Sequence, residues 1–395
     1  MTRVQRRWMM RVVMIAVVFG SVLVPVAADA AEVLIAEFRF RGKAGVADEY
    51  ITLYNNTDSP LTISTTDGST GWALVGADGA IRATILNGTV IRARGWYLIT
   101  NNGTGGFSLA SFPAGAGTTV GSGDRQYSTE IPSSGVNAGV ALFRSSTTFN
   151  LTTRVDAVGY TSVGPLYREG TGMTTGGAEQ VVNLQQAYTR DMTTGVPKDT
   201  DDNKADFRTV DTNGTLTGNG QRVGMPSPRS NLSPIRRTQI AVSAIPSVAT
   251  VVRDNRSTDW TIPGVGTVNW PSGVLHVTKR FTNNTGQAVT RLRVRVVDMT
   301  TFPENSGTAD LRPIDATGTV TNSSGTVVAS GLRPMLLELP TQQLNGGGIN
   351  STLTLDTTAL PGGNLGVGAS VNVHIRIGVA QVGAYRFFIL IEALP

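Results

Sequence analysis

Apolar and polar residues alternate with a period of two over much of this chain, in short runs broken by glycine, proline and asparagine. EVLIAEFRFR (32–41), YITLYNN (50–56), GWYLITNN (95–102), GVALFRS (139–145) and RVDAVGYT (154–161) are such runs in the first part. TQIAVSAI (238–245), GVLHVTKRFTNN (273–284), TRLRVRVVDM (290–299), SVNVHIRIGVA (370–380) and RFFILIEAL (386–394) follow in the second. Because neighbouring side chains on a strand point to opposite faces, this pattern predicts an all-β protein built as two β-sandwich domains. No window has a helical period long enough for a crossover, which argues against a parallel α/β sheet. In the run at 50–56, Tyr50, Thr52 and Tyr54 alternate with Ile51 and Leu53, predicting one core face and one wet face. Leu292, Val294 and Val296 alternate with Arg291, Arg293 and Arg295, predicting one buried and one basic face. The final run is apolar on both sides and so is expected to lie centrally in its sheet.

The chain has 395 residues, enough for two domains with separate cores. Residues 1–30 read as a secretory signal, with a basic start at MTRVQRRWMMR, an apolar run from Val12 to Val26 and a small-residue AADA site. Cleavage is expected between Ala30 and Ala31. The first sandwich is expected over 31–212, a flexible, exposed linker rich in Gly, Asn, Ser and Pro over 213–238, and the second sandwich over 239–395. No later segment is apolar enough to span a bilayer, so the mature chain is expected in the periplasm, on the cell surface or in the medium.

Charge adds little once the leader is set aside. The leader's four arginines and one aspartate account for three of the formal +5, leaving +2, which is no argument for a nucleic-acid partner. Cysteine is absent, which removes disulfides, thiol catalysis and thiolate metal sites. The two histidines, His276 and His374, fall among the polar positions of their strands and are expected to face solvent. Asp48 and Glu49 are adjacent on a strand and so cannot flank one bond, and NNGTGGFS (101–108) lacks the lysine and helix of a phosphate loop. These absences point away from an enzyme. The row Arg291, Arg293 and Arg295 is the best candidate binding surface, for phosphates or acidic glycans, against a plainer reading as a solvated face paired with cross-strand acids.

The order of motifs VLIAEFRFR, DEYITLYNNTDSPLTI (48–63), GWALVGADG (71–79), GTVIRARGWYLIT (88–100) and GVALFRS…RVDAVGY resembles the lamin tail domain in its bacterial secreted form, over roughly residues 33–210. The C-terminal half is similar to a β-sandwich module found on exported bacterial proteins that carry such domains. The resemblance implies an immunoglobulin-like sandwich for the first domain, with Trp72, Leu74 and Trp96 in its core. It also bears on KDTDDNKADF (198–207), where Asp199, Asp201 and Asn203 have the first spacings of a calcium loop while Lys204 and Val210 stand where such a loop needs glycine and glutamate. The family has a similar acidic turn followed by DF, which implies a structural turn in which Asn203 and Asp206 brace the backbone and Phe207 plugs the core. A weak extracellular calcium site is the alternative. The resulting expectation is an exported, non-catalytic adhesion, envelope or matrix-binding module without a cofactor. The alternative is an accessory binder of extracellular nucleic acid or anionic polysaccharide through the arginine row.

Overall fold

The computed structural model describes residues 31–113, 119–174, 185–212, 214, 220–262, 266–303, 307–338 and 346–395. The leader expected over residues 1–30 lies outside them. The protein is all-β, as the alternation predicts, and among the described residues the only α-helix is the single turn Asn203–Asp206. No helix among these residues is long and apolar enough to cross a membrane.

The N-terminal half packs a seven-stranded sheet against a four-stranded one. The larger runs in the order Arg222–Val223, Phe207–Asp211, Gln186–Arg190, Val33–Arg39, Tyr50–Asn55, Trp96–Asn101 and Arg125–Tyr127. The smaller runs Arg154–Gly159, Gly139–Phe143, Gly71–Gly76 and Ile81–Leu86. Ile51, Leu53, Tyr97, Ile99, Trp72, Leu74, Val140 and Leu142 meet in the core between them. The register of Val33–Arg39 against Tyr50–Asn55 shifts between Ile35 and Glu37, a β-bulge that changes which residues face inward. Val33 and Ile35 point into the core before it, Phe38 and Phe40 after it, and Glu37 is left on the opposite face.

The C-terminal half is built on a ten-stranded sheet folded back on itself as a half-barrel, with two hairpins beside it, Thr258–Ile262 with Gly266–Trp270 and Val320–Thr321 with Val327–Ala329. Arg291–Met299 lies between Phe387–Leu394 and Thr352–Leu355; Val274–Asn283 pairs with Ser370–Gln381. Arg333–Glu338 joins the two parts, antiparallel to Thr352–Leu355 and parallel to the strand Ser370–Gln381 at Arg333 and Pro334. Leu292, Val294 and Val296 face Val373, Ile375, Ile377, Leu275 and Val277 in a shared core.

That core also takes in Tyr50, Leu98, Ala187 and Val210 from the outer face of the seven-stranded sheet. The face expected to be wet is therefore covered: Tyr50–Asn55 and Trp96–Asn101 are buried at every position. Trp96 is buried on this outer face with Tyr54, Ile235 and Val297, whereas Trp72 lies in the N-terminal core.

The connector is the second departure from expectation. Residues 223–230 are buried, not exposed. Arg222–Val223 extends the seven-stranded sheet, Gly224 bridges to Ile349 of the C-terminal half, and Ile235–Arg236 pairs with Phe387–Leu394. Pro226 and Pro228 have no N–H, so this polar segment brings few donors into the seam. The Ser227 N–H is satisfied by Glu37 Oε1 at 2.6 Å.

The final strand is not central. Its neighbour on one side, Ile235–Arg236, pairs only with Ala393 and Glu392, and Arg237 N donates to Ile391 O, so among the described residues the edge from Phe387 to Leu390 has no strand partner there and Phe388 is 53% exposed.

Candidate functional site

The arginine row lies inside the molecule. Arg291, Arg293 and Arg295 are only 6%, 1% and 0% exposed, which overturns the expected basic binding face. Arg293 Nε donates to Glu392 Oε2 at 2.5 Å and Arg295 Nε to Glu392 Oε1 at 2.7 Å, while Arg291 Nη2 donates to Glu338 Oε1 at 2.8 Å. Burial disfavours an ionised Glu392, but Arg293 and Arg295 outweigh it and hold the carboxyl at about 2. Alternation placed the three guanidinia on one face correctly; a second sheet then covered that face. The signal that would have revealed this is the pair of lone acids inside apolar strands, Glu338 in PMLLELP and Glu392 in FFILIEAL, because a buried carboxylate requires a cation.

Glu37 continues the ladder into the N-terminal half. Its Oε1 accepts from Tyr50 Oη at 2.6 Å and from Ser227 N, and its Oε2 accepts from Arg229 Nη2 and Asn350 Nδ2, both at 3.0 Å. Asn350 accepts Arg295 Nη1 through Oδ1 at 2.9 Å, which closes the chain of contacts from Glu37 to Glu392. Its φ of +66° is one that asparagine tolerates better than most residues. Arg229 stacks 3.7 Å from the Trp96 ring centroid, and burial together with Arg295 pulls its pKa down to about 10, still charged at neutral pH.

The histidines, expected at the surface, are also buried. They stand diagonally on facing strands, His276 opposite Arg376 and His374 opposite Thr278, and His276 Nδ1 lies 2.9 Å from His374 Nε2. Gly318 N donates to His374 Nδ1 at 3.1 Å, so the His374 proton sits on Nε2 and is donated to His276 Nδ1. That leaves the His276 proton on Nε2, a buried atom without a hydrogen-bond partner. Burial and Arg376 lower His276 to about 4, and burial and His276 lower His374 to about 3, so both rings are neutral at physiological pH. Asp48 and Glu49 diverge: Asp48 pairs with Arg39 and Ser108, whereas Glu49 accepts from Asn101, Tyr127 and Ile131.

The acidic turn divides its residues between two jobs. Asn203 cannot serve as a calcium ligand, because its Oδ1 accepts from Gly159 N and Glu169 N and its Nδ2 donates to Ala157 O. Asp206 accepts from Thr200 and Arg190, and Phe207 is buried against Phe38 in the N-terminal core. Asp199 and Asp201 remain near one another, and Glu169, which the sequence reading missed, joins them. Burial, then Asp156, push the Glu169 carboxyl up to about 10.

One polar cleft, about 440 Å³, opens along the seam between the halves. Lys204, Arg208 and Arg222 line it from the N-terminal side and connector, and Arg386 and Asp298 from the C-terminal side. Arg208 donates to Asp191 at 2.6 Å and Arg386 to Asp298 at 2.7 Å, so these cations are held in position. Four basic residues face Asp191, Asp206 and Asp298, and Asp206 is itself committed to Arg190. The cleft is therefore net basic. No family model, no curated protein and no solved structure matches the chain.

Proposed function

We propose that the protein is an exported, non-catalytic binding protein whose two halves work as one rigid body. In this reading its N-terminal half is an immunoglobulin-like sandwich of the lamin tail kind, and its ligand is an envelope or extracellular-matrix polymer bearing anionic groups. The observation that carries it is the position of the basic cleft on a seam tied by the Glu37 to Glu392 ladder. Ligand sites favour such junctions, and a fixed spacing between Arg208 and Arg386 lets two cations meet one polymer without first being ordered. The arrangement supports anionic polysaccharide over nucleic acid, because the cleft mixes carboxylates with its cations.

The test is binding of the purified chain to immobilised acidic polysaccharides, neutral polysaccharides and single-stranded DNA. Binding to the acidic polysaccharide is expected to fall steeply between about 50 and 200 mM salt. Arg386 has a side chain 68% exposed and Lys204 lies at the surface, so R386A and K204A leave the fold intact. Together they should weaken binding about tenfold or more. Binding that both substitutions leave unchanged, or a preference for neutral polymer, refutes the cleft.

A further inference from the structure

We propose that Arg376, His276 and Trp270 form a binding site for a small monoanion such as chloride, where the hairpin strand Gly266–Trp270 meets Ser370–Gln381. Strand register puts the three together. His276 is paired directly opposite Arg376. Gly378 stands two residues beyond Arg376 on the same sheet face, and the Trp270 ring fills the space above it, where an added Cβ would meet ring carbons at 2.6 Å. Each of the three brings a buried N–H without an acceptor: Arg376 Nε, His276 Nε2 and Trp270 Nε1. The residues are 8%, 4% and 3% exposed. Among the described residues Arg376 makes no hydrogen bond and no ion pair. Buried donors are nearly always satisfied, and a buried guanidinium without an acceptor is costly.

The protein's own acceptors are committed elsewhere. Asp254 and Asp315 are the carboxylates whose charge reaches Arg376. Asp254 accepts from Arg256 Nη2 at 2.6 Å and Thr321 Oγ1 at 2.9 Å, and Asp315 from Leu337 N at 2.7 Å and Trp260 Nε1 at 3.3 Å. His374 cannot serve, because its Nδ1 accepts from Gly318 N and its Nε2 donates to His276. What is missing is one acceptor that the three donors can share. A single cation among neutral rings matches one negative charge, and the two nearby carboxylates disfavour a dianion such as phosphate. A water molecule accepts two donors but brings no countercharge to Arg376, so salt distinguishes the two occupants. The site shares no residue with the seam cleft, so the inference stands apart from the polysaccharide reading.

The experiment is thermal melting of the purified chain at neutral pH and constant ionic strength, with chloride replacing the bulkier gluconate up to about 200 mM. A saturable rise in Tm of about 2 °C or more is expected, with a broadened chloride NMR line that bromide competes away. Arg376→Met removes the buried charge and should abolish both signals, while its Tm without chloride equals or exceeds that of the wild type. Trp270→Phe removes one N–H but keeps an aromatic ring over Gly378, and should weaken chloride about tenfold. A Tm that responds alike to gluconate and chloride overturns the site and leaves water as the occupant. So does a saturable rise that R376M retains, or unchanged chloride affinity in W270F. An R376M chain that melts earlier without chloride overturns it as well, because the protein itself would then be holding the guanidinium.

Discussion

Replacing Glu37 with glutamine tests whether the two halves are one folding unit. Glu37 is fully buried, and its carboxylate accepts four hydrogen bonds, from Tyr50, Ser227, Arg229 and Asn350. Glutamine keeps one carbonyl acceptor but turns an NH2 toward donors that need an oxygen. Arg229 then loses its direct carboxylate partner while remaining buried. Breaking a buried pair from one side costs about 3 to 5 kcal/mol, a large share of the about 5 to 15 kcal/mol that holds a typical domain. Removing both charges costs less than the sum of the two single changes, because no uncompensated ion remains.

Urea unfolding followed by tryptophan fluorescence measures this effect, since Trp96 lies under Arg229 and reports on the seam. We expect a single transition in the wild type, a loss of about 3 to 5 kcal/mol in E37Q, and a smaller cost in E37Q/R229Q than the two single variants sum to. Two well-separated wild-type transitions, or a loss below about 1 kcal/mol in E37Q, would refute the argument that these charges join the halves.

Two further outcomes follow from buried features of the seam and the half-barrel. His276 and His374 have folded pKa values near 4 and 3 against an ordinary 6.5, so the unfolded chain takes up protons that the folded pair refuses. Their contribution is complete above pH 6.5 and is lost as pH falls toward 4, by up to about 3 kcal/mol per ring. Denaturation midpoints between pH 7 and 4 should show this decline. An equal decline in H276Q/H374Q would assign it to other groups. Gly224→Ala places a Cβ against the Ile349 carbonyl and the Val210 side chain, and should cost about 1 to 3 kcal/mol by thermal melting. A neutral result would mean that the connector is not docked as described.

Buried charge explains why so much of the site escaped the sequence reading. Arg291, Arg293 and Arg295 read as a surface because charged residues are rarely buried without partners. Their partners Glu338 and Glu392 are far along the chain, and only strand pairing brings them near: Glu392 lies opposite Arg293 in register. The cleft is beyond local reading for the same reason, since Arg208 and Arg386 come from different halves. The acidic turn was partly legible. Asp199 and Asp201 stand close in sequence, but Glu169 reaches them only because Asn203 ties its backbone in place.

Local alternation by itself determined that the protein is all-β and which side chains share a face, because a strand's period of two depends only on its own backbone. Ile51 with Leu53, and Leu292 with Val294 and Val296, face their cores accordingly. Tertiary structure decided what covers the opposite faces. A polar face is wet unless another surface supplies its hydrogen bonds and countercharges, and here Ser227 and Arg229 of the connector and Asn350 of the C-terminal half supply them to Glu37, which also accepts from Tyr50. Whether a row of arginines meets solvent or glutamate depends on contacts between distant segments, and those contacts turned a presumed binding surface into the seam of the molecule.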